Sequence, residues 1–274
     1  MTKSLEQFSL KEKVIVITGG TGVLGGAFAS AIASAGAKVG VLGRNKNKAA
    51  ERVKCIQDSG GEAMELIADV LDEKQVTDAR DKVLARWGKI DGLINAAGGN
   101  VPASVVTPDQ DLFSVRIEDI KQAVDLNLYG TVIPAQVFGA AMAARKSGVI
   151  LNISSLAAQR PLTRVVGYGM AKSAIESYTK WMAVELPSRY GDGIRVNAIA
   201  PGVFLTVQNK DLLIKPDGTY SERTQKFIDN TPYGRLGVPE ELTGAVIWLM
   251  SDASKFVNGE VVLVDGGFNA YSGV

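Results

Sequence analysis

The 274-residue sequence predicts an α/β fold: one doubly wound domain, residues 1–274, with a seven-stranded, mostly parallel sheet and helices on both faces. Three observations predict it. Short apolar, β-branched runs alternate along the whole chain with longer amphipathic segments, the pattern of repeated strand–helix–strand units with right-handed crossovers. The short runs are apolar throughout, as strands covered on both faces require. No repeat or low-complexity linker interrupts the series, so one domain accounts for the length.

Each element follows from local signals. Val14–Thr18 is apolar, β-branched and ended by Gly19-Gly20, which reads as a buried strand. Leu24–Ala35 reads as an Ala-rich helix stopped at Gly36, and Lys38–Leu42 as the second strand. Lys46–Ser59 is the second helix, Ala63–Ala68 the third strand and Glu73–Trp87 the third helix. Gly92–Asn95 forms the fourth strand; a polar loop with Pro102 and Pro108 then leads to a helix from about Glu118 to Ala144. Val149–Ile153, a long helix over Gly167–Arg189, and Ile194–Ile199 follow, then a late helix Glu240–Leu249 and the strand Val261–Val264. The segment from Val203 to about Thr231 reads as an irregular insertion. Because ligands of open α/β sheets bind beyond the carboxyl ends of the strands, that insertion is placed as a substrate loop beside the site.

Composition narrows the chemistry. With 46% hydrophobic and 22% charged residues, the chain can build an ordinary core without a disulfide or metal. The net charge is +1 and no basic stripe appears, which argues against a nucleic-acid partner. The single cysteine, Cys55, excludes an intramolecular disulfide and reads as an ordinary helix residue. There is no histidine. Histidine-based triads and His-rich zinc sites are therefore excluded, no metal is expected, and proton chemistry falls to Tyr, Lys, Asp, Glu, Cys or a cofactor. The first ten residues are mostly polar, unlike a signal peptide, and no apolar run is long enough to span a bilayer. A cytoplasmic protein with a small-molecule substrate and no membrane partner is the expectation.

The first strand runs into Thr18-Gly19-Gly20-Thr21-Gly22-Val23-Leu24. A glycine-rich turn there brings backbone N–H groups and the positive end of the next helix to a phosphate, as in Rossmann-type dinucleotide sites; a plain strand–helix turn also uses glycine. The second strand ends at Gly43-Arg44-Asn45. Sites selecting NAD place an acid there for the ribose 2′-OH, whereas an Arg accommodates a 2′-phosphate, so NADP(H) is favoured and NAD(H) remains open. Arg44 also reads as a solvated side chain of a basic loop. Asp69-Val70, after the third strand, reads equally as a rest for the adenine ring and as a helix cap. The small residues of Asn95-Ala96-Ala97-Gly98 let the backbone pass close to a ribose or to the central helix.

Tyr168 and Lys172 stand one helical turn apart, and Ser155 lies thirteen positions before Tyr168, just past the fifth strand. A free Tyr, with a pKa of about 10, is a poor base at neutral pH, and a neighbouring ammonium lowers that value. Ser155 at the strand end can hydrogen-bond a substrate oxygen. The bland alternative is an amphipathic helix with a snorkelling Lys. With the Thr-Gly turn, Asn95–Gly98, and Pro201-Gly202 after the sixth strand, the chain resembles the short-chain dehydrogenase/reductase family over nearly its whole length. The resemblance implies hydride transfer between a nicotinamide and a carbonyl or secondary alcohol, with Tyr168 as acid/base, and Lys172 also holding the nicotinamide ribose. It implies that Asn127 completes a proton relay, that Pro201, Gly202, Val203 and Thr206 touch the cofactor, and that the assembly is a homotetramer. Asn127 also reads as a buried Asn bonded to helix backbone. The family's turn has a glycine where this chain has Val23.

The substrate must be read from loops. Arg160 and Arg164 lie between Ser155 and Tyr168, and Arg pairs bidentately with carboxylates; both also read as surface residues. Asn100, Gln208 and Asn209 offer polar groups suited to hydroxyls. Gly98–Asn100, Arg160–Arg164, Thr206–Asn209 and 266–273 resemble the family's D-mannonate oxidoreductase (fructuronate reductase) branch, which implies a sugar-acid substrate. Alternatives are a dehydrogenase of another polyol, a gluconate-type acid or a 3-oxoacyl thioester. A non-catalytic NADP(H) sensor is a further alternative, disfavoured because a sensor needs no proton donor.

Overall fold

Strand β1 (Val14–Thr18) is buried at every position, as its unbroken apolar run requires. In the computed structural model, which describes residues 3–205 and 213–273, it lies inside a seven-stranded sheet, third in the strand order. The other strands are β2 (Lys38–Gly43), β3 (Glu62–Ile67), β4 (Gly92–Asn95), β5 (Gly148–Ile153), β6 (Ile194–Pro201) and β7 (Val261–Val264). Their order is β3-β2-β1-β4-β5-β6-β7, and all the pairings are parallel, so the mixed character allowed for by sequence is absent among the described strands. The chain reverses its direction of winding between β1 and β4. At such a switch point the crossovers diverge and leave a crevice at the carboxyl ends.

Helices α1 (Lys3–Glu6), α2 (Val23–Ser34), α3 (Lys46–Asp58), α4 (Glu73–Trp87), α5 (Ile117–Val124), α6 (Gly130–Arg145), α7 (Leu156–Gln159), α8 (Val166–Tyr190), α9 (Glu222–Asp229) and α10 (Thr243–Met250) complete the chain. Two apolar layers sandwich the sheet. One packs Phe28, Ile32, Val246 and Leu249 against Ile15, Ile17 and Val39; the other packs Val76, Phe138, Met142 and Met182 against Val16, Leu93 and Val196. The strand alternation predicts this, since successive side chains leave opposite faces.

Three expected elements differ from the structure. The helix expected over 118–144 is broken by one turn of π-helix at Asp125–Tyr129. There the Asn127 side chain takes the Ala123 carbonyl, at 2.8 Å, and the turn widens. The insertion is not irregular throughout: Ser221 caps the two-turn helix α9 through Thr224 N–H, at 3.2 Å. The late helix begins as a 3-10 turn, Pro239–Leu242, because Pro239 fits only the first turn. Among the described residues no helix is long and apolar enough to cross a membrane, and no cluster of three or more His, Cys, Asp or Glu could hold a metal.

Asp91 anchors the amino-terminal edge of the sheet, far from the crevice. It accepts from Val14 N–H at 2.9 Å, from Lys89 at 2.8 Å and from Arg145 at 3.2 Å. Burial pushes its carboxyl up, but the donors from Lys89, Val14 and Arg145 outweigh burial and leave it below the ordinary value. A lowered folded-state pKa stabilises the fold above the unfolded value of about 3.9, and that contribution disappears as pH falls through the folded value. Asp91→Asn is expected to cost about 1–3 kcal/mol at pH 7 by denaturant unfolding and less near pH 3, with steady-state parameters unchanged.

Candidate active site

The glycine-rich turn forms one wall of the crevice. Gly19 has φ +65°, and a Cβ there would meet the Ala96 carbonyl and Ala97 backbone at 2.7–2.8 Å, so the turns after β1 and β4 touch through a position only glycine fits. Thr18 Oγ1 reinforces this contact by accepting from Ala97 N–H at 3.2 Å. Gly20 N–H donates to Leu42 O at 3.1 Å, and Thr21 packs against Gly43 beside Arg44. Gly22 is the N-cap of α2 and supplies no side-chain cap; the first turn, from Val23 and Leu24, holds no acid. The helix therefore presents uncapped N–H groups and its positive end to an anion. Val23 occupies the first helical position, half-buried, where the family pattern has glycine.

Arg44 extends into solvent with its side chain 75% exposed, and its Nη1 lies 3.7 Å from Asp69 Oδ2. Asn45 caps α3, accepting from Lys48 N–H at 3.0 Å. Of the two readings of Asp69, the helix cap belongs instead to Asp72, which accepts from Gln75 N–H; Asp69 closes a turn by accepting from Leu71 N–H. Val70 is buried against Gly130. Asn95 Nδ2 donates to Asn152 at 2.9 Å, while its buried Oδ1 has no hydrogen-bond partner. Pro201 ends β6, Gly202 N–H bonds Val264 O, and Val203 O accepts from Gly237 N–H. Thr206, Gln208 and Asn209 lie outside the described residues. A cradle of close-approaching backbone, an uncapped helix end and an orphaned acceptor at a strand end fit a dinucleotide.

The proton-handling groups meet at the carboxyl ends of β4 and β5. Ser155 caps α7, accepting from Ala157 N–H at 3.1 Å, and its hydroxyl is within hydrogen-bonding reach of the Tyr168 oxygen. Ser154 is turned away and donates to buried Glu176 at 2.8 Å, so only Ser155 faces Tyr168. Lys172 is 4% exposed; its Nζ donates to Ile153 O at 2.7 Å and lies 5.5 Å from the Tyr168 ring centroid. Asn127 Oδ1 accepts from Gly99 N–H at 2.9 Å, and its Nδ2 donates to Gly99 O and Ala123 O. It clamps the loop after β4, where Gly98 has φ +148° and a Cβ would lie 2.6 Å from Asn127 Oδ1 and 3.6 Å from Lys172 Nζ.

The expectation that Lys172 lowers the Tyr168 pKa is not met. Burial pushes the phenol up, and the opposing influence is the Ser155 hydrogen bond. Burial also lowers Lys172 to about 8. Tyr168 is therefore held as a neutral phenol, the form that donates a proton to a carbonyl oxygen.

The loop residues divide. Asn100 is exposed beyond β4. Arg160 bonds the carboxy-terminal segment, its Nε donating to Asn269 Oδ1 at 3.1 Å, which is the surface role left open for it. Arg164 is exposed, with φ +75°, and its carbonyl accepts from Val106 N–H. Sequence reasoning missed Glu176, Gln159 and Arg223, and gave no role to Gly99 or Asn269 within the segments it singled out. Glu176, one turn past Lys172, accepts from both Ser154 and Gln159 and ties down the segment carrying Ser155; its helical spacing was the available signal.

A family model described as enoyl-(acyl carrier protein) reductase matches residues 21–269. An oxidoreductase of uncharacterized activity from Bacillus subtilis, UxuB, is 42% identical, with 97% of this chain and 98% of that protein covered. The crystal structure of a protein from Haemophilus influenza proposed as a D-mannonate oxidoreductase, with bound NAD, superposes with a TM-score of 0.90 at 39% identity, covering 97% of this chain and 98% of that one. A gluconate 5-dehydrogenase from Burkholderia cenocepacia, in complex with NADP and tartrate, gives 0.85 at 34% identity, covering 97% and 99%.

Tyr168→Phe keeps the ring and removes the hydroxyl; kcat is expected to fall by about 10²–10⁴-fold, far more than the cofactor affinity read by fluorescence titration. In wild type, the kcat for carbonyl reduction is expected to fall as pH rises through about 8, where Lys172 loses its charge. An alkaline limb unaffected up to the ordinary lysine range would contradict this.

Proposed function

The chain belongs to the short-chain dehydrogenase/reductase family, and on that premise we propose that it reversibly reduces the ketone of a sugar acid, D-fructuronate, to D-mannonate. It is a nicotinamide-dependent oxidoreductase acting on small molecules. The observation that carries the reaction type is the meeting of Ser155, Tyr168 and Lys172 beside the crevice at the β1–β4 switch point.

The nicotinamide, when bound, exchanges a hydride with the reacting carbon. Its pyrophosphate would be held by the Gly19–Leu24 turn and the α2 N-terminus, and its ribose by Tyr168 and Lys172. Asp69, Val70, Asn95–Gly98 and Pro201–Val203 would flank its adenine and nicotinamide ends, with Thr206 beyond. Ser155 donates a hydrogen bond to the substrate oxygen and stabilises its developing charge. Tyr168 gives that oxygen its proton in reduction and takes it back in oxidation. Lys172, charged below about pH 8, favours the phenolate that reduction leaves behind and resupplies its proton. Asn127 holds the Gly98–Gly99 loop against this group.

Arg44 favours NADP(H), with NAD(H) also accepted. Its pairing with Asp69 is exposed and at 3.7 Å contributes little, so the guanidinium is free to turn to a 2′-phosphate. Arg164 supports a carboxylate substrate, being cationic and four residues before Tyr168. A gluconate-type acid is a second reading, favoured by the structural likeness to the gluconate 5-dehydrogenase. A homotetramer in the cytoplasm is the expected state; Trp181, Val184 and Phe256 are large apolar side chains that a lone chain leaves exposed.

Steady-state kinetics with NADH and NADPH crossed against keto-sugar acids test this reading. The highest kcat/KM is expected for D-fructuronate with NADPH; a value no better than for unrelated ketones removes the assignment. Arg164→Ala is expected to raise the KM for D-fructuronate about tenfold with kcat nearly unchanged.

A further inference from the structure

Three cationic side chains of the segment before α8 and of α9 have no carboxylate to balance them among the described residues. Arg160 and Arg164 come from the segment before α8, and Arg223 from α9 in the insertion. Among the described residues none of the three forms an ion pair, although exposed arginines and lysines elsewhere commonly do. Arg223 is half-buried, and its two terminal nitrogens donate to Thr163: Nη1 to Oγ1 at 2.6 Å and Nη2 to the carbonyl at 2.9 Å. That places its guanidinium beside the residue preceding Arg164. Burial first, and the positive charge of Arg164 second, push the Arg223 pKa down, which marks the two cations as near neighbours.

The surroundings fix Arg223 in place. Its guanidinium lies 5.1 Å from the Phe227 ring centroid, Phe227 meets Phe268 at 6.2 Å, and the next residue, Asn269, accepts from Arg160. The chain of contacts thus closes on itself, from the 160–164 segment through α9 and the carboxy-terminal segment and back. Two like charges side by side repel, and an anion between them would turn that repulsion into attraction. A stacked, half-desolvated guanidinium with unused N–H groups suits a carboxylate better than an ammonium would.

We propose that Arg223 is a specificity-determining residue that, with Arg164, holds the carboxylate of the substrate, so that α9 of the insertion selects sugar acids over neutral sugars. The proposal rests on the sugar-acid reading above and adds to it the residue and helix that read the charge.

The test compares D-fructuronate with D-fructose, the same skeleton with the carboxylate replaced by a hydroxymethyl group. Arg223→Met is expected to raise the KM for D-fructuronate about 10- to 100-fold, with kcat altered less than about threefold and the D-fructose kcat/KM unchanged. Arg223→Lys, which keeps the charge and loses the fork, is expected to fall between Met and wild type. Thr163→Val removes one Arg223 bond but leaves the cation, and is expected to retain the preference for D-fructuronate. An equal loss with both sugars, an unchanged D-fructuronate KM in Arg223→Met, or a Thr163→Val defect as large as that of Arg223→Met would overturn the proposal. If wild type does not prefer D-fructuronate to D-fructose, the sugar-acid reading fails and this inference with it. If wild type prefers it and Arg223→Met matches wild type, the inference alone fails.

Discussion

The buried ammonium of Lys172 constrains everything around it. A cation only 4% exposed is costly, and here its nitrogen is held by the Ile153 carbonyl at 2.7 Å. Ile153 is the last residue of β5, so this bond locks α8 to the carboxyl end of the central sheet and fixes the register at which Tyr168 arrives. Beside it, Asn127 Oδ1 would stand 2.6 Å from a Cβ at position 98 and leaves no room for a side chain there. The loop after β4 must therefore be glycine-rich, and a glycine-rich loop needs an external clamp. Asn127 supplies it, and the π-turn in which Asn127 sits is the backbone consequence.

A second set of buried polar bonds holds the strands that carry these groups. Asn95 donates to Asn152, Asn152 to Thr179, and Thr179 back to Ile175 O, each at 2.8–2.9 Å. The series runs from β4 through β5 into α8. Each side chain satisfies the next, which spares the sheet the cost of unpaired polar groups in an otherwise apolar layer. The open end of the series is Asn95 Oδ1, a buried acceptor without a hydrogen-bond partner at the carboxyl end of β4.

The strands and the catalytic spacing were legible because both are local. An unbroken apolar run reports a strand buried on both faces, and Tyr168 and Lys172 share a helix face whatever the tertiary context. What escaped depends on burial or on distant partners. The direction of the Tyr168 shift is set by desolvation, which the four-residue spacing does not encode. The π-turn arises where the buried Asn127 side chain takes the Ala123 carbonyl while holding the loop 28 residues earlier, and the helix pattern around it continues undisturbed. Arg160 and Arg223 look alike in sequence; only their partners, Asn269 and Thr163, separate a side chain tied to the tail from one placed against Arg164. The Arg44 and Asp69 readings stayed open because the ends of β2 and β3 meet only in three dimensions.

On the proposed function, chemistry and selection are carried by different parts of the fold. Ser155, Tyr168, Lys172 and Asn127 hang from β5, α8 and the helix before α6, all held by buried bonds. Arg164 and Arg223 sit on an exposed segment and on a helix of the insertion, joined to each other's elements through Thr163 and to the carboxy-terminal segment through the Phe227–Phe268 contact. On that reading, a change of residue on the second set is expected to alter which molecule is held without moving the proton donor, since no bond of the first set passes through it. Altering the first set moves the donor itself. A fold divided in this way can keep one hydride-transfer chemistry and exchange its substrate through loops alone.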